Sequence, residues 1–266
     1  MTQSTNWAGV NISIPSTTRV IKAEALEMIR TNISQHGCHT YFVRPAPSPK
    51  FAYTIGLSET TIGAELILAG GAYYSRHQVS EILNRLALIL KETPDGVQTN
   101  HALGELGNFS LRDVNPTWSS ELTLGALDYY KPAAVRVLQV VPDDQHRTID
   151  VPDLSQVRNE TAEPIWQWLD KAWDYPIPEN LMVITDIGAL RGAPILEANR
   201  WEEDAWELFS ISSHEFDKEN GRAIPFGTLV AVDPTLVLAT ELDVGEGIWR
   251  NPEDLEWKIT RLPGFK

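Results

Sequence analysis

The sequence predicts an α+β protein in two domains. An α/β-mixed N-terminal sheet with flanking helices spans residues 17–175, and a small β-rich domain spans residues 181–266. Three observations carry this. Up to about residue 142, apolar strand-like runs alternate with helical stripes. Beyond residue 178 the runs become short and are separated by Gly, Pro and acidic clusters. Between the two parts, Asp174-Tyr175-Pro176-Ile177-Pro178 resists regular structure, because Pro fixes φ and lacks an amide donor.

The first part divides as follows. Residues 1–16 are polar, and no regular element is expected there. Over 17–35, Ile21, Ala25, Met28, Ile29 and Ile33 share one helical face, with Glu24, Glu27 and Arg30 facing away. Residues 38–44 read as a strand closed by Pro45-Ala46-Pro47-Ser48-Pro49, which cannot join a ladder. Residues 51–57 and 65–70 are two more apolar strands. Ser75 followed by Gln78 has the form of a capping box. It opens a helix striped by Val79, Ile82, Leu83, Leu86, Ile89 and Leu90, ending near Pro94. Residues 107–114 alternate as a strand, and Asn115-Pro116 starts a helix through about Tyr130. Residues 135–141 are apolar on both faces and read as a central strand.

Residues 142–164 are polar and turn-rich, and a short helix follows with Trp166, Leu169 and Trp173 at spacings of three and four. In the second part, residues 181–187, 193–198, 206–212, 228–234 and 256–262 are strand-like.

Composition narrows the function classes. With 42% hydrophobic and 22% charged residues the chain is an ordinary folded protein. No apolar run approaches the roughly 20 residues of a membrane helix. The first 18 residues lack a basic stretch followed by an apolar core, so a cytoplasmic location is expected. Cys38 is the only cysteine, so no intrachain disulfide forms. The formal net charge is −14, which disfavours nucleic acid and anionic membranes and suits a basic partner. The charge is uneven: residues 178–266 hold 17 acidic and 8 basic side chains.

Chemical motifs are sparse. The sequence has no Gly-rich phosphate loop, no H-E-x-x-H and no G-x-S-x-G, and one Cys cannot build a cysteine-rich zinc site. His36, Cys38 and His39 are close in sequence, but a strand sends Cys38 and His39 to opposite faces. As a nucleophile Cys38 would need a base, and no spacing ties His77 or His101 to it. No cofactor or metal is expected. Tyr53, Thr54 and Glu65 form the one catalytic candidate, a carboxyl near a hydroxyl, which reads equally as a structural hydrogen-bonded pair. The other candidate is a contact surface. Trp201, Glu202, Glu203, Asp204 and Trp206 place two Trp around three acids, and Glu215, Asp217, Glu219, Asp243 and Glu246 fall in neighbouring predicted loops. Acids with aromatic anchors suit an interface to a basic protein.

Residues from about 37 to 142 resemble the bacterial domain-of-unknown-function family 4262. The resemblance rests on Phe51-Ala52-Tyr53-Thr54-Ile55-Gly56-Leu57, Glu65-Leu66-Ile67-Leu68, Leu83-Asn84, and Gly125-Ala126 to Tyr130. That family commonly carries His-Pro before the Glu, where this chain has Gly63-Ala64, and a His near Asn115-Pro116, where none occurs. The resemblance therefore implies no activity. Residues from about 181 to 266 look like the immunity-protein family thirty-three of bacterial polymorphic toxin systems. The landmarks are Gly192-Ala193-Pro194-Ile195, Asp204-Ala205-Trp206, Asp233-Pro234-Thr235-Leu236, Gly245, Trp249-Arg250 and Trp257. Ala205 stands where that family has Ser-Gly. This second resemblance implies a cytosolic antitoxin that binds and neutralises a secreted cognate toxin, and the acidic charge adds the expectation that the toxin has a basic surface and is blocked by occlusion of its active site. The alternatives are a small enzyme using the Tyr53, Thr54 and Glu65 pocket, and a ligand-binding regulatory module.

Overall fold

The computed structural model describes residues 23–93, 99–213 and 216–265. Helix α1 (Ala23–His36) is followed by strands β1 (His39–Val43), β2 (Phe51–Ile55) and β3 (Glu65–Ala69). Helix α2 (Arg76–Glu92) comes next, then β4 (His101–Ala102), β5 (Asn108–Asp113), α3 (Pro116–Leu122), α4 (Leu124–Tyr130) and β6 (Val137–Pro142). A 3-10 helix (Pro164–Leu169) leads into β7 (Met182–Thr185), α5 (Ile187–Leu190), β8 (Glu197–Arg200), β9 (Trp206–Phe209) and β10 (Arg222–Pro225). Helix α6 (Phe226–Val232), β11 (Glu246–Trp249) and β12 (Lys258–Arg261) complete the chain.

The strands form two six-stranded mixed sheets, as an α+β protein with two sheet regions requires. The first runs β1-β2-β3-β6-β5-β4, with β3 and β6 parallel and the other neighbours antiparallel. Alternation along its strands feeds two cores. Ala52, Leu66, Leu68, Leu138 and Val140 pack under α2 with Val79, Ile82, Leu83 and Leu86. Phe51, Tyr53, Ile55, Ile67 and Val137 turn the other way, against Ile29, Trp118, Leu122 and Trp166. Burial on both faces explains why β2, β3 and β6 are mostly apolar, with Thr54, Glu65 and Gln139 as their buried polar residues.

The second sheet runs β10-β7-β9-β8-β11-β12, with β7 and β9 parallel. Val183, Ala198, Trp206, Leu208, Ile224 and Ile248 pack with Phe226, Leu229 and Leu236.

Three sequence expectations are corrected. Residues 228–234, read as a strand, lie mostly in helix α6. The run is apolar all round, which fits a buried helix as well as a strand, and packing decides: Trp168 Nε1 donates to Gly227 O at 2.9 Å. The helix expected from Asn115 to Tyr130 is two helices meeting at Thr123, whose φ and ψ are −112 and 35. In α1, Ile29 is buried as expected but Met28 faces solvent; the part of that helix expected over 17–22 lies outside the described residues. The capping box at Ser75 and Gln78 is present in full.

The turn-rich stretch 142–164 is not uniformly exposed. Asp150, Val151 and Leu154 are buried, and Trp166 Nε1 donates to Asp150 O at 3.0 Å. The longest exposed run in the stretch is residues 156–162, in which Arg158 is half-buried and paired to Asp170. The two sheets are bridged by Ile149 N–H to Leu190 O (2.8 Å), Arg222 Nε to Tyr73 O (3.0 Å) and Arg191 Nη2 to Gln145 O (2.5 Å). Trypsin is therefore expected to cut first after Arg158, and the two fragments to co-elute in native gel filtration. Fragments that separate without denaturant would show that these bridges do not hold the halves together.

Candidate functional site

Glu65 begins β3 at 0% exposure. A buried carboxylate needs donors on its lone pairs. Thr54 Oγ1 donates to Oε2 at 2.6 Å. Oε1 accepts from Gly56 N at 3.0 Å, from Ser58 N at 2.9 Å and from the Tyr130 hydroxyl at 2.5 Å. The Tyr130 oxygen in turn accepts from Gly56 N at 2.6 Å. Burial, and then the Glu65 carboxylate, push the Tyr130 phenol well above the ordinary tyrosine range, so it stays a donor. Gly56 can offer its N–H inward because its φ is +117, a conformation that side chains rarely adopt.

Thr54 is a partner of Glu65, as the sequence suggested, but Tyr53 is not. Tyr53 lies on the opposite face of the sheet and accepts from Gly125 N at 3.0 Å. The tyrosine that serves Glu65 is Tyr130, 65 positions away, and no local signal marks it. The arrangement clamps β2, the turn after it, β3 and α4 around one carboxylate. Every oxygen of that carboxylate is engaged and none meets solvent.

Cys38 is also buried; burial pushes its thiol pKa up, with Lys91 lowering it and Glu65 adding to the rise. That is the opposite of an activated nucleophile. His39 Nδ1 is 2.8 Å from Asn32 Nδ2, and His36 is exposed. No group of three His, Cys, Asp or Glu able to hold a metal is found among the described residues.

The acidic candidates separate into two places. Arg200 pairs with both Trp206 and Glu246. The β8–β9 turn bearing Glu202, Glu203 and Asp204 therefore shares one end of the second sheet with Asp243 and Glu246. Glu202, Glu203, Asp204 and Asp243 are exposed and have no ion-pair partner among the described residues. Glu246 is 3.4 Å from Arg261. Asp217 and Glu219 precede β10, whose first residue pairs with the last of β7, and so lie at the opposite end. Glu215 lies outside the described residues. Of the two aromatic anchors, Trp206 is corrected to a core residue, 2% exposed and packed on Phe226. Trp201 is half-buried, its Nε1 donating to Glu207 Oε2 at 2.7 Å.

Two polar pairings escaped the sequence reading. Asp143 Oδ1 is 2.6 Å from His146 Nδ1, an i,i+3 pair in the turn-rich stretch, with Tyr73 edge-on to the imidazole. Arg250 is buried and paired to Asp233. Around it four of the C-terminal landmarks converge: the turn at Gly192, the Asp233–Thr235 turn, Arg250 itself and Trp257. Their spacing in the chain gave no sign that they meet.

Residues 32–148 match the family described as a domain of unknown function, DUF4262. The DUF4262 region takes in all of β1–β6, the α2 helix and the Glu65 clamp, and ends before the second sheet begins. No curated protein and no solved structure matches the chain.

Proposed function

We propose that this protein is an antitoxin of the immunity type, which binds a cognate toxin and occludes its active site through the acidic end of the second sheet. The observation that carries the reading is the group Glu202, Glu203, Asp204 and Asp243. These are exposed carboxylates, free of ion pairs among the described residues, on one end of the second sheet in a chain of net charge −14. Such a cluster steers a basic surface toward it and can stand in for the phosphates that a basic nuclease expects. The resemblance of residues 181–266 to the immunity family points the same way. The catalytic alternative loses support because Glu65 is closed off from solvent and fully hydrogen-bonded.

The test is affinity purification of the tagged full chain from its source cell. A stoichiometric basic protein whose toxicity this chain suppresses is the expected result. A chain that recovers no such partner, while turning over a substrate, would overturn the reading.

A further inference from the structure

At the end of the second sheet opposite Glu202, a cleft of about 390 Å³ opens between the two halves of the chain. That volume falls in the range of small-molecule sites. Ile149 comes from the first half, and Ile195, Leu229, Val232 and Leu255 complete apolar walls. Asp233, Thr235 and Arg250 are its polar lining, and Arg250 is only 5% exposed. Its Nε donates to Ile195 O at 2.6 Å, its Nη1 to Thr235 Oγ1 at 3.2 Å and its Nη2 to Asp233 Oδ2 at 2.5 Å. The Trp257 ring lies 4.2 Å from its Cζ.

A guanidinium carries five N–H donors. Three are used among the described residues, so two remain on a side chain that is more than nine-tenths buried and borders an apolar cleft. Buried N–H groups seek an acceptor. The charge of that acceptor is constrained. Asp233 already neutralises the guanidinium, and Glu253 and Asp254 immediately precede Leu255 at the cleft. A second anion there would meet like charge. A cation finds little to bind, because Asp233 Oδ1 already accepts from the Thr235 N–H and hydroxyl, and Oδ2 from Arg250.

We propose that this cleft binds a small uncharged molecule with an apolar body and one carbonyl-type oxygen, the oxygen accepting from Arg250. The site is separate from the acidic end and does not depend on the antitoxin reading. Four six-carbon probes test it on the full chain: hexanamide, hexanoate, hexylamine and hexyl phosphate. Binding is followed by NMR at the Arg250 Nε–H and the Ile195 and Leu255 methyl groups. Hexanamide is expected to saturate these signals and to bind at least about tenfold more tightly than the three charged probes. Val232→Trp fills the cleft from its rim, where Val232 is 48% exposed, so the core is untouched and hexanamide binding should fall at least about tenfold. Arg250→Lys, which keeps the charge but not the planar fork, should weaken hexanamide by a similar factor. The proposal is overturned if no probe perturbs these signals, if a charged probe binds as well as the amide, or if Val232→Trp binds hexanamide like the wild type.

Discussion

Replacing Glu65 by Leu is expected to lower unfolding stability by about 3 kcal/mol, and Glu65→Gln by about 1 kcal/mol. The difference follows from the donors. In the Leu variant the Ser58 N–H and the Tyr130 and Thr54 hydroxyls lose their acceptor, and Gly56 N–H keeps only the Tyr130 oxygen. Relief from burying a charge offsets part of that loss. Gln keeps one carbonyl oxygen where Oε1 sits, and its amide can turn to the Thr54 oxygen. A loss of 3 kcal/mol is a large share of the 5–15 kcal/mol typical of a folded protein, and lowers the melting temperature by about 6–12 °C. Urea denaturation at neutral pH measures it, and a Leu variant within about 1 kcal/mol of wild type would remove the clamp from the account. Both variants should keep toxin affinity within a few-fold while folded; a folded Glu65→Gln variant with no neutralising activity would make the clamp a functional site.

On the antitoxin proposal, reversing Glu202, Glu203 and Asp204 to Lys should weaken toxin binding at least about tenfold at low salt, and less as salt rises. Exposed charges act mainly on association rate, because their field reaches through solvent before contact and is screened by ions. The geometry supplies an internal control. Asp217 and Glu219 lie at the other end of the same sheet, so reversing them, a change of +4 (2 × 2) in net charge against +6 (3 × 2), should leave affinity within about twofold. A salt series on the wild type and both variants separates local contact from overall charge. Equal losses in the two variants would mean that only net charge matters. Indifference to both salt and reversal would end the acidic mechanism.

Much of this architecture could be read from local pattern. The α2 helix announced itself through a stripe and a capping box, β2, β3 and β6 through mostly apolar runs, and β5 through alternation. What failed was decided by contacts between distant residues. Helix α6 has the composition of a strand, and Trp168, about sixty positions earlier, helps fix it as a helix. Trp201 and Trp206 look alike in sequence, yet the register of β8 with β9 sends one into the core and leaves the other at the rim. Tyr130 at Glu65, and Trp257 over Arg250, are pairings made only by the completed fold.

The parallel contact between β3 and β6 has a consequence for how the chain is made. Glu65 pairs with Val137, and everything between them, including α2 and the β4–β5 pair, must be synthesised before β3 has its second neighbour. Until then a strand that is apolar from Leu66 to Ala69 presents a bare ladder of amides on its outer side. Closing that span costs loop entropy before any reward arrives, so the step is expected to be slow relative to the β1–β2–β3 meander. In the cell, the interval between the emergence of Ala69 and that of Val141 is when the nascent chain most needs a chaperone, and the arrival of β6 ends that exposure.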